Sequence, residues 1–227
     1  MLTEARIVYE TAKISISTVI EAAFGRLDRE TVDRRLRSWG QACLDVADMK
    51  LTVHGRDAVD WSRAYVVMSN HQSLFDIPVI AVTVPGSLRF VAKKELFRVP
   101  IWGRAMRDSQ IISIDRQNRR SAMESLREAA EVIHSGIHIW IAPEGTRSHD
   151  GRIGKLKKGG FLLAIDTATP ILPMTISGTR LARKKHERTI QKGVEVDVRF
   201  GQPISVEGRS RDDLLAEVEG FFVANAR

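Results

Sequence analysis

In the run Asn70-His71-Gln72-Ser73-Leu74-Phe75-Asp76, an imidazole and a carboxylate stand five positions apart. On a continuous helix their side chains would point about 140° away from each other, so only a turn brings them together. Once together they suit general-base chemistry. The carboxylate of Asp76 would fix the tautomer of His71 and stabilise the imidazolium, and the other ring nitrogen would accept a hydroxyl proton. The same spacing also fits an exposed loop histidine followed by a helix-capping aspartate.

A second polar cluster is Ala142-Pro143-Glu144-Gly145-Thr146-Arg147-Ser148. Gly145 lets backbone amides approach an anion. Thr146 and Ser148 offer hydroxyl donors, and Arg147 can grip a phosphate with two parallel bonds. Glu144 is placed to hold that arginine or to orient a hydroxyl. The other reading is an ordinary charged turn. Further along, Lys155-Leu156-Lys157-Lys158-Gly159-Gly160 reads as a phosphate-holding basic loop or a solvated turn. In Ile112-Ser113-Ile114-Asp115-Arg116, the last two residues either pair with each other or turn Arg116 toward an anionic substrate. The apolar segment Pro170-Ile171-Leu172-Pro173-Met174 suits the lining of a chain tunnel or a plain core.

These clusters need elements to hold them. Apolar runs rich in β-branched residues predict strands at 50–53, 64–68, 88–91, 111–114, 137–141, 171–176 and 194–200. Helical spacing predicts helices at 77–84, 121–134, from 160 to 165, and from Ser210, a good N-cap, onward. Strand and helix alternate, so the fold class is α/β, with a mostly parallel central sheet flanked by helices. In such sheets ligands bind beyond the carboxyl ends of the strands, where the His71 and Arg147 clusters fall.

The first fifty residues read differently, as an N-terminal amphipathic two-helix segment broken at Gly25. In the second helix Val32, Leu36, Trp39, Cys43 and Val46 form an apolar stripe. Arg29, Arg34, Arg35 and Arg37 occupy the other face. The pair either caps the core or lies on lipid with its arginines toward head groups. The expected division is a membrane-association segment at 1–49 and a catalytic domain at 50–227.

With 227 residues, 43% of them hydrophobic, the chain can bury one substantial core. Its 35 basic and 28 acidic side chains leave a net charge of +7, which suits nucleic acid, anionic lipid or phosphorylated substrates. A lone cysteine, Cys43, excludes an intrachain disulfide and a cysteine-rich metal site, and fits a reducing compartment. Neither a secretory signal nor a run of the roughly 18–20 apolar residues that span a bilayer is visible, so any membrane contact is expected to be peripheral.

Taken in order, the segments resemble the four blocks of the glycerolipid acyltransferase family, and within it the lysophosphatidic-acid acyltransferase branch. Asn70 to Asp76 is similar to its NHxSxxD block. Lys93-Lys94-Glu95-Leu96, with Pro100 and Gly103 and then Ile114-Asp115-Arg116, resembles the second block. Pro143-Glu144-Gly145-Thr146-Arg147-Ser148 matches PEGTRS, and Ile171-Leu172-Pro173-Met174 resembles the fourth block. The similarity runs from about residue 50 to 205. Two positions depart from the pattern: Ala142 stands where an aromatic usually precedes the proline, and Gln110 where a glycine is common.

The resemblance implies acyl transfer from a thioester, on acyl-CoA or acyl carrier protein, to the free hydroxyl of 1-acyl-glycerol 3-phosphate. It implies His71 and Asp76 as the catalytic pair. Glu144, Gly145, Thr146 and Arg147 would hold the acceptor's glycerol phosphate, with Arg116 and Lys93 as further contacts. It implies no cofactor, no metal and no nucleic acid. The expected location is peripheral, on the cytoplasmic face of an anionic membrane. There the arginine face of the second helix and the cluster Arg180, Arg183, Lys184, Lys185 and Arg188 would meet acidic lipid. A lyso-aminolipid or glycerol 3-phosphate is the alternative acceptor. Outside this class stand a hydrolase using Ser73 as nucleophile, a nucleic-acid-binding module argued from charge alone, and a non-catalytic lipid carrier.

Overall fold

The computed structural model describes residues 2–115, 118–185, 187 and 189–226. A seven-stranded sheet forms the centre. In chain order its strands are β1 (Lys50–His54), β2 (Val66–Ser69), β3 (Leu88–Lys93), β4 (Ile112–Ile114), β5 (His138–Ile141), β6 (Ile171–Ser177) and β7 (Glu195–Phe200). They lie side by side as β1-β7-β6-β2-β5-β3-β4. Every neighbouring pair is parallel except β6 with β7. The α/β class with a mostly parallel sheet is as expected. β2 sits between β5 and β6, buried at all four positions, which is why it reads as an unbroken apolar run.

The helices are α1 (Leu2–Ala23), α2 (Arg29–Val46), α3 (Asp76–Thr83), α4 (Trp102–Asp108), α5 (Arg119–His134), α6 (Gly159–Asp166), α7 (Thr179–Ala182) and α8 (Arg211–Asn225). On one face of the sheet, Leu44 of α2 and Val79 and Ile80 of α3 join Val67, Trp140 and Leu172 in a core. On the other, Ala129 and Ile133 of α5, Phe161 of α6 and Leu214 and Phe222 of α8 cover Val66, Ile139 and Ile171. Ser210 caps α8 as expected, its Oγ accepting the Asp213 N–H at 3.1 Å.

α2 begins at Asp28, whose carboxylate accepts the Thr31 N–H at 2.8 Å. Its apolar stripe turns inward, and Gly40 allows close contact with α3. A Cβ there would lie 2.9 Å from the Pro78 carbonyl oxygen. The arginine face is only partly outward. Arg35 folds back, bonding Thr18 at 3.2 Å and pairing with Glu21 at 2.5 Å, so it ties α2 to α1.

Two short helices lie outside the expected set. α7 spans only four residues, too few to show a period. α4 follows a 3₁₀ turn at Lys94–Arg98, and the chain folds back so tightly that a Cβ at Gly103 would lie 2.2 Å from the Phe97 carbonyl oxygen. Pro170 to Met174 is wholly buried and belongs to the sheet's core, so the expectation of a tunnel lining there does not hold. Apolar strand residues at the centre of a covered sheet face helices on both sides.

Candidate active site

The two polar clusters meet because β2 and β5 are hydrogen-bonded neighbours and both end at the same edge. The chain leaves β2 at Ser69, and Asn70 pins the exit. Its Nδ2 donates to the Ile176 carbonyl at 2.9 Å and its Oδ1 accepts the Ile176 N–H at 2.8 Å. The loop then wraps around the carboxylate of Asp76, the first residue of α3, which is fully buried. Asp76 Oδ2 accepts the backbone N–H groups of Gln72 at 2.7 Å and Ser73 at 2.9 Å, and meets His71 Nδ1 at 2.7 Å. Its Oδ1 accepts the Thr179 hydroxyl at 2.5 Å. With two backbone N–H groups and the Thr179 hydroxyl already donating to it, the carboxylate acts as acceptor, and His71 presents Nδ1–H to it. The lone pair of Nε2 then lies on the far side of the ring, and His71 lines a large cavity.

The loop after β5 clamps His71 by its backbone. Glu144 Oε1 accepts the His71 N–H at 2.9 Å, and Ser148 donates its N–H to the His71 carbonyl at 2.7 Å. Glu144 Oε2 accepts the Gly154 N–H at 2.8 Å. Glu144 is buried, so it neither grips Arg147 nor faces a substrate hydroxyl as expected. Both its oxygens are committed to backbone amides. Burial pushes its carboxyl pKa up, while those two bonds act in the opposite direction. Trp140 packs edge-on against the His71 ring with centroids 5.7 Å apart, and its Nε1 is tied to Ser69 Oγ at 2.9 Å.

Gly145, Thr146 and Arg147 all line the cavity beside His71, as does Lys157. Gly145 adopts φ +70°, and a Cβ there would meet the Lys157 ammonium at 2.9 Å. Burial first, and then the charge of Arg183, holds the Arg147 guanidinium below the usual arginine range. Lys93 also reaches the cavity, from the end of β3. Arg116 lies outside the described residues, as does Arg188. Asp115 pairs with Lys94.

The cavity holds about 1100 Å³, above the roughly 300–1,000 Å³ of a site for a drug-sized ligand. The wall from α1, α2, α4 and β3 is mostly apolar, including Ile14, Leu36, Trp39, Phe90 and Met106, with Arg35 and Arg89 also on it. The N-terminal helices therefore complete the cavity. Ser73 is fully buried and its Oγ donates to the Arg183 carbonyl at 2.8 Å, so it is not offered to His71 as a nucleophile. Thr179 was not among the expected site residues. An isolated threonine after a strand gives no signal without knowledge that β6 ends beside Asp76.

An α/β sheet with an Asp-held histidine at one strand tip and a basic loop at the next is the architecture of an acyltransferase domain. A family model described as Acyltransferase matches residues 50–177, and the chain belongs to that family. The chain is 33% identical to the human (Homo sapiens) 1-acyl-sn-glycerol-3-phosphate acyltransferase alpha over 74% of its own length and 59% of that protein. It is 34% identical to the chloroplastic 1-acyl-sn-glycerol-3-phosphate acyltransferase BAT2 of Brassica napus over 67% of its own length and 43% of that protein. It thus spans about half the length of these curated relatives. A similar solved structure is the crystal structure of the 1-acyl-sn-glycerophosphate (LPA) acyltransferase PlsC from Thermotoga maritima. The two share 29% identity and a TM-score of 0.83, covering 100% of this chain and 96% of that one.

Proposed function

We propose that the chain transfers a fatty acyl group from an acyl thioester to the free hydroxyl of 1-acyl-glycerol 3-phosphate, giving phosphatidic acid. The observation that carries this reading is the His71–Asp76 contact of 2.7 Å beside a large, mostly apolar cavity that Arg147 also lines. The names of the relatives support the acceptor.

In the proposed reaction His71 Nε2 takes the proton of the acceptor hydroxyl as its oxygen attacks the thioester carbonyl carbon. The new C–O bond forms and a tetrahedral adduct results. Its collapse breaks the C–S bond, and the leaving thiolate takes the proton back from the imidazolium. The products are ester and thiol, with the enzyme unchanged. Asp76 stabilises the imidazolium, a contribution that general-base catalysis puts at about 10²–10⁴ in rate, or roughly 3–5 kcal/mol of barrier. Arg147 and Gly145 hold the acceptor phosphate, and Glu144 positions the His71 backbone.

The donor is acyl-CoA or acyl carrier protein, and the site of action is the surface of an anionic membrane. Among the described residues no helix is long and apolar enough to cross a bilayer. α1 leaves Tyr9 and Ile20 exposed, as is Phe24 just after it, while other residues of the helix line the cavity, which supports docking of residues 1–49 on lipid and entry of substrate from it. Residues 50–227 then carry the chemistry. The test is a thiol-release assay pairing both donors with 1-acyl-glycerol 3-phosphate, glycerol 3-phosphate and a lyso-aminolipid. Turnover with the first acceptor is expected, and no thiol from any pair would overturn the reading.

A further inference from the structure

We propose that Arg183 and Lys185 are specificity-determining residues that restrict the acceptor to a phosphate monoester, and so exclude lyso-aminophospholipids such as lysophosphatidylethanolamine, whose phosphate is a diester. This rests on the acyltransferase reading above and sharpens its acceptor.

Both residues follow α7, outside the four conserved-type blocks and beyond the 50–177 segment that the family model matches. Their charge was expected on a lipid-facing patch. Instead both side chains line the cavity with Arg147 and Lys157. Lys185 Nζ donates to the Arg147 carbonyl at 3.0 Å and to Thr146 Oγ1 at 3.3 Å, so its ammonium sits on the anion-binding loop itself. Arg183 is anchored on the other side, its carbonyl accepting the Ser73 hydroxyl and its Nε donating to the Glu187 carbonyl at 3.0 Å. With Thr179 bonded to Asp76, the whole segment is bolted to the His71 loop.

Arg147, Lys157, Arg183 and Lys185 therefore group around the anion loop, with Lys93 also on the cavity wall, and no aspartate or glutamate is among the described residues that line the cavity. Asp76 and Glu144 lie behind the surface with their oxygens committed to His71, Thr179 and backbone amides. Like charges grouped this way repel, and an anion of high charge relieves that repulsion best. A phosphate monoester carries about −1.5 to −2 charges and three acceptor oxygens. A lyso-aminophospholipid head offers a singly charged diester and adds an ammonium, which the cluster repels.

The experiment uses neutral detergent micelles, so that contact with a charged membrane does not enter. In the Arg183→Gln/Lys185→Gln double variant, KM for 1-acyl-glycerol 3-phosphate should rise about tenfold or more, as expected for lost charge-assisted bonds, with kcat little changed. Turnover of lysophosphatidylethanolamine should not fall, so the preference between the two acceptors narrows by the same factor. The charge-keeping swap Arg183→Lys/Lys185→Arg should retain most of the preference. Lys184→Gln, a neighbour that pairs with Glu187 at 3.5 Å and does not line the cavity, should leave it unchanged. Calorimetry with dodecyl phosphate and dodecylphosphocholine gives a readout that needs no turnover, and the wild type should favour the monoester while the double variant does not. An unchanged preference in both measurements, or an equal loss in Lys184→Gln, overturns the inference. If the wild type releases no thiol from any pair, the acyltransferase reading fails, and the calorimetric preference still decides the role of these two residues.

Discussion

Glu144 holds His71 by its backbone: Oε1 accepts the His71 N–H at 2.9 Å, while Oε2 reaches Gly154 at 2.8 Å. One buried carboxylate thus sets the distance between the base loop after β2 and the anion loop after β5. Its removal leaves the His71 and Gly154 N–H groups without their carboxylate acceptor. Glu144→Ala should lower unfolding free energy by about 1–3 kcal/mol, as two part-buried bonds to a carboxylate are lost. Urea denaturation measures this. In kinetics kcat should fall more than the acceptor KM rises, since the acid touches the base's backbone and not the ligand.

Asp76 has a second support in Thr179, at 2.5 Å. Thr179→Val keeps the side-chain shape and removes the hydroxyl. It should destabilise by roughly 1.5–3 kcal/mol, as for a bond to a charged group. Asp76→Asn should cost about 10²–10⁴ in kcat, with acceptor KM nearly constant. Urea denaturation measures the first effect and steady-state kinetics the second.

Arg147 lines the cavity and shares its charge environment with Arg183. Arg147→Gln should raise the acceptor KM by about a factor of ten or more through lost bidentate bonds, leaving the donor KM unchanged. Titrating each substrate against saturating concentrations of the other measures the split.

His138 gives a prediction about acid stability. Its ring is buried and stacked on Tyr65 with an interplanar angle of 13°, and its Nδ1 accepts the Tyr65 N–H at 3.1 Å. Burial pushes its pKa down from 6.5 to about 4. Between these values the unfolded chain binds a proton that the folded chain does not, so unfolding free energy rises with pH. The stability is fully present above about pH 6.5 and is lost as pH falls through about 4, a loss of roughly 3 kcal/mol. His138→Gln should flatten the change in urea midpoint over this window relative to the wild type.

The outer side of α1 tests membrane docking. Ile20 and Phe24 are 50% and 71% exposed, so replacing them affects the core little. Ile20→Asp/Phe24→Asp should weaken binding to anionic vesicles in a sedimentation assay, while turnover in detergent micelles is kept.

The sequence made the α/β class and the meeting of the two polar clusters legible, because each cluster follows an apolar run and such ends gather ligands. The role of Glu144 was not legible. A carboxylate in a polar run looks like a ligand contact until the neighbouring strand is known to bring the His71 amide to it. Thr179 and the Arg183–Lys185 segment were hidden for the same reason, since only the packing of α7 brings them to Asp76 and Thr146. The Arg89–Asp33 pair, buried and joined at 2.6 Å between β3 and α2, shows the same limit. Periodicity marked Asp33 as part of a helix without revealing the partner that lets its charge be buried. The cavity walls also needed coordinates: of the two readings of Pro170 to Met174 the plain core holds, and the cavity is walled by α1, α2, α4 and β3.

The most direct test is thiol release from acyl-CoA with 1-acyl-glycerol 3-phosphate, run side by side on the wild type, His71→Ala and Ser73→Ala. His71→Ala should lose about 10²–10⁴ in rate while its circular dichroism stays that of the folded chain, and Ser73→Ala should keep turning over. A His71→Ala protein that releases thiol at the wild-type rate would contradict the proposed base.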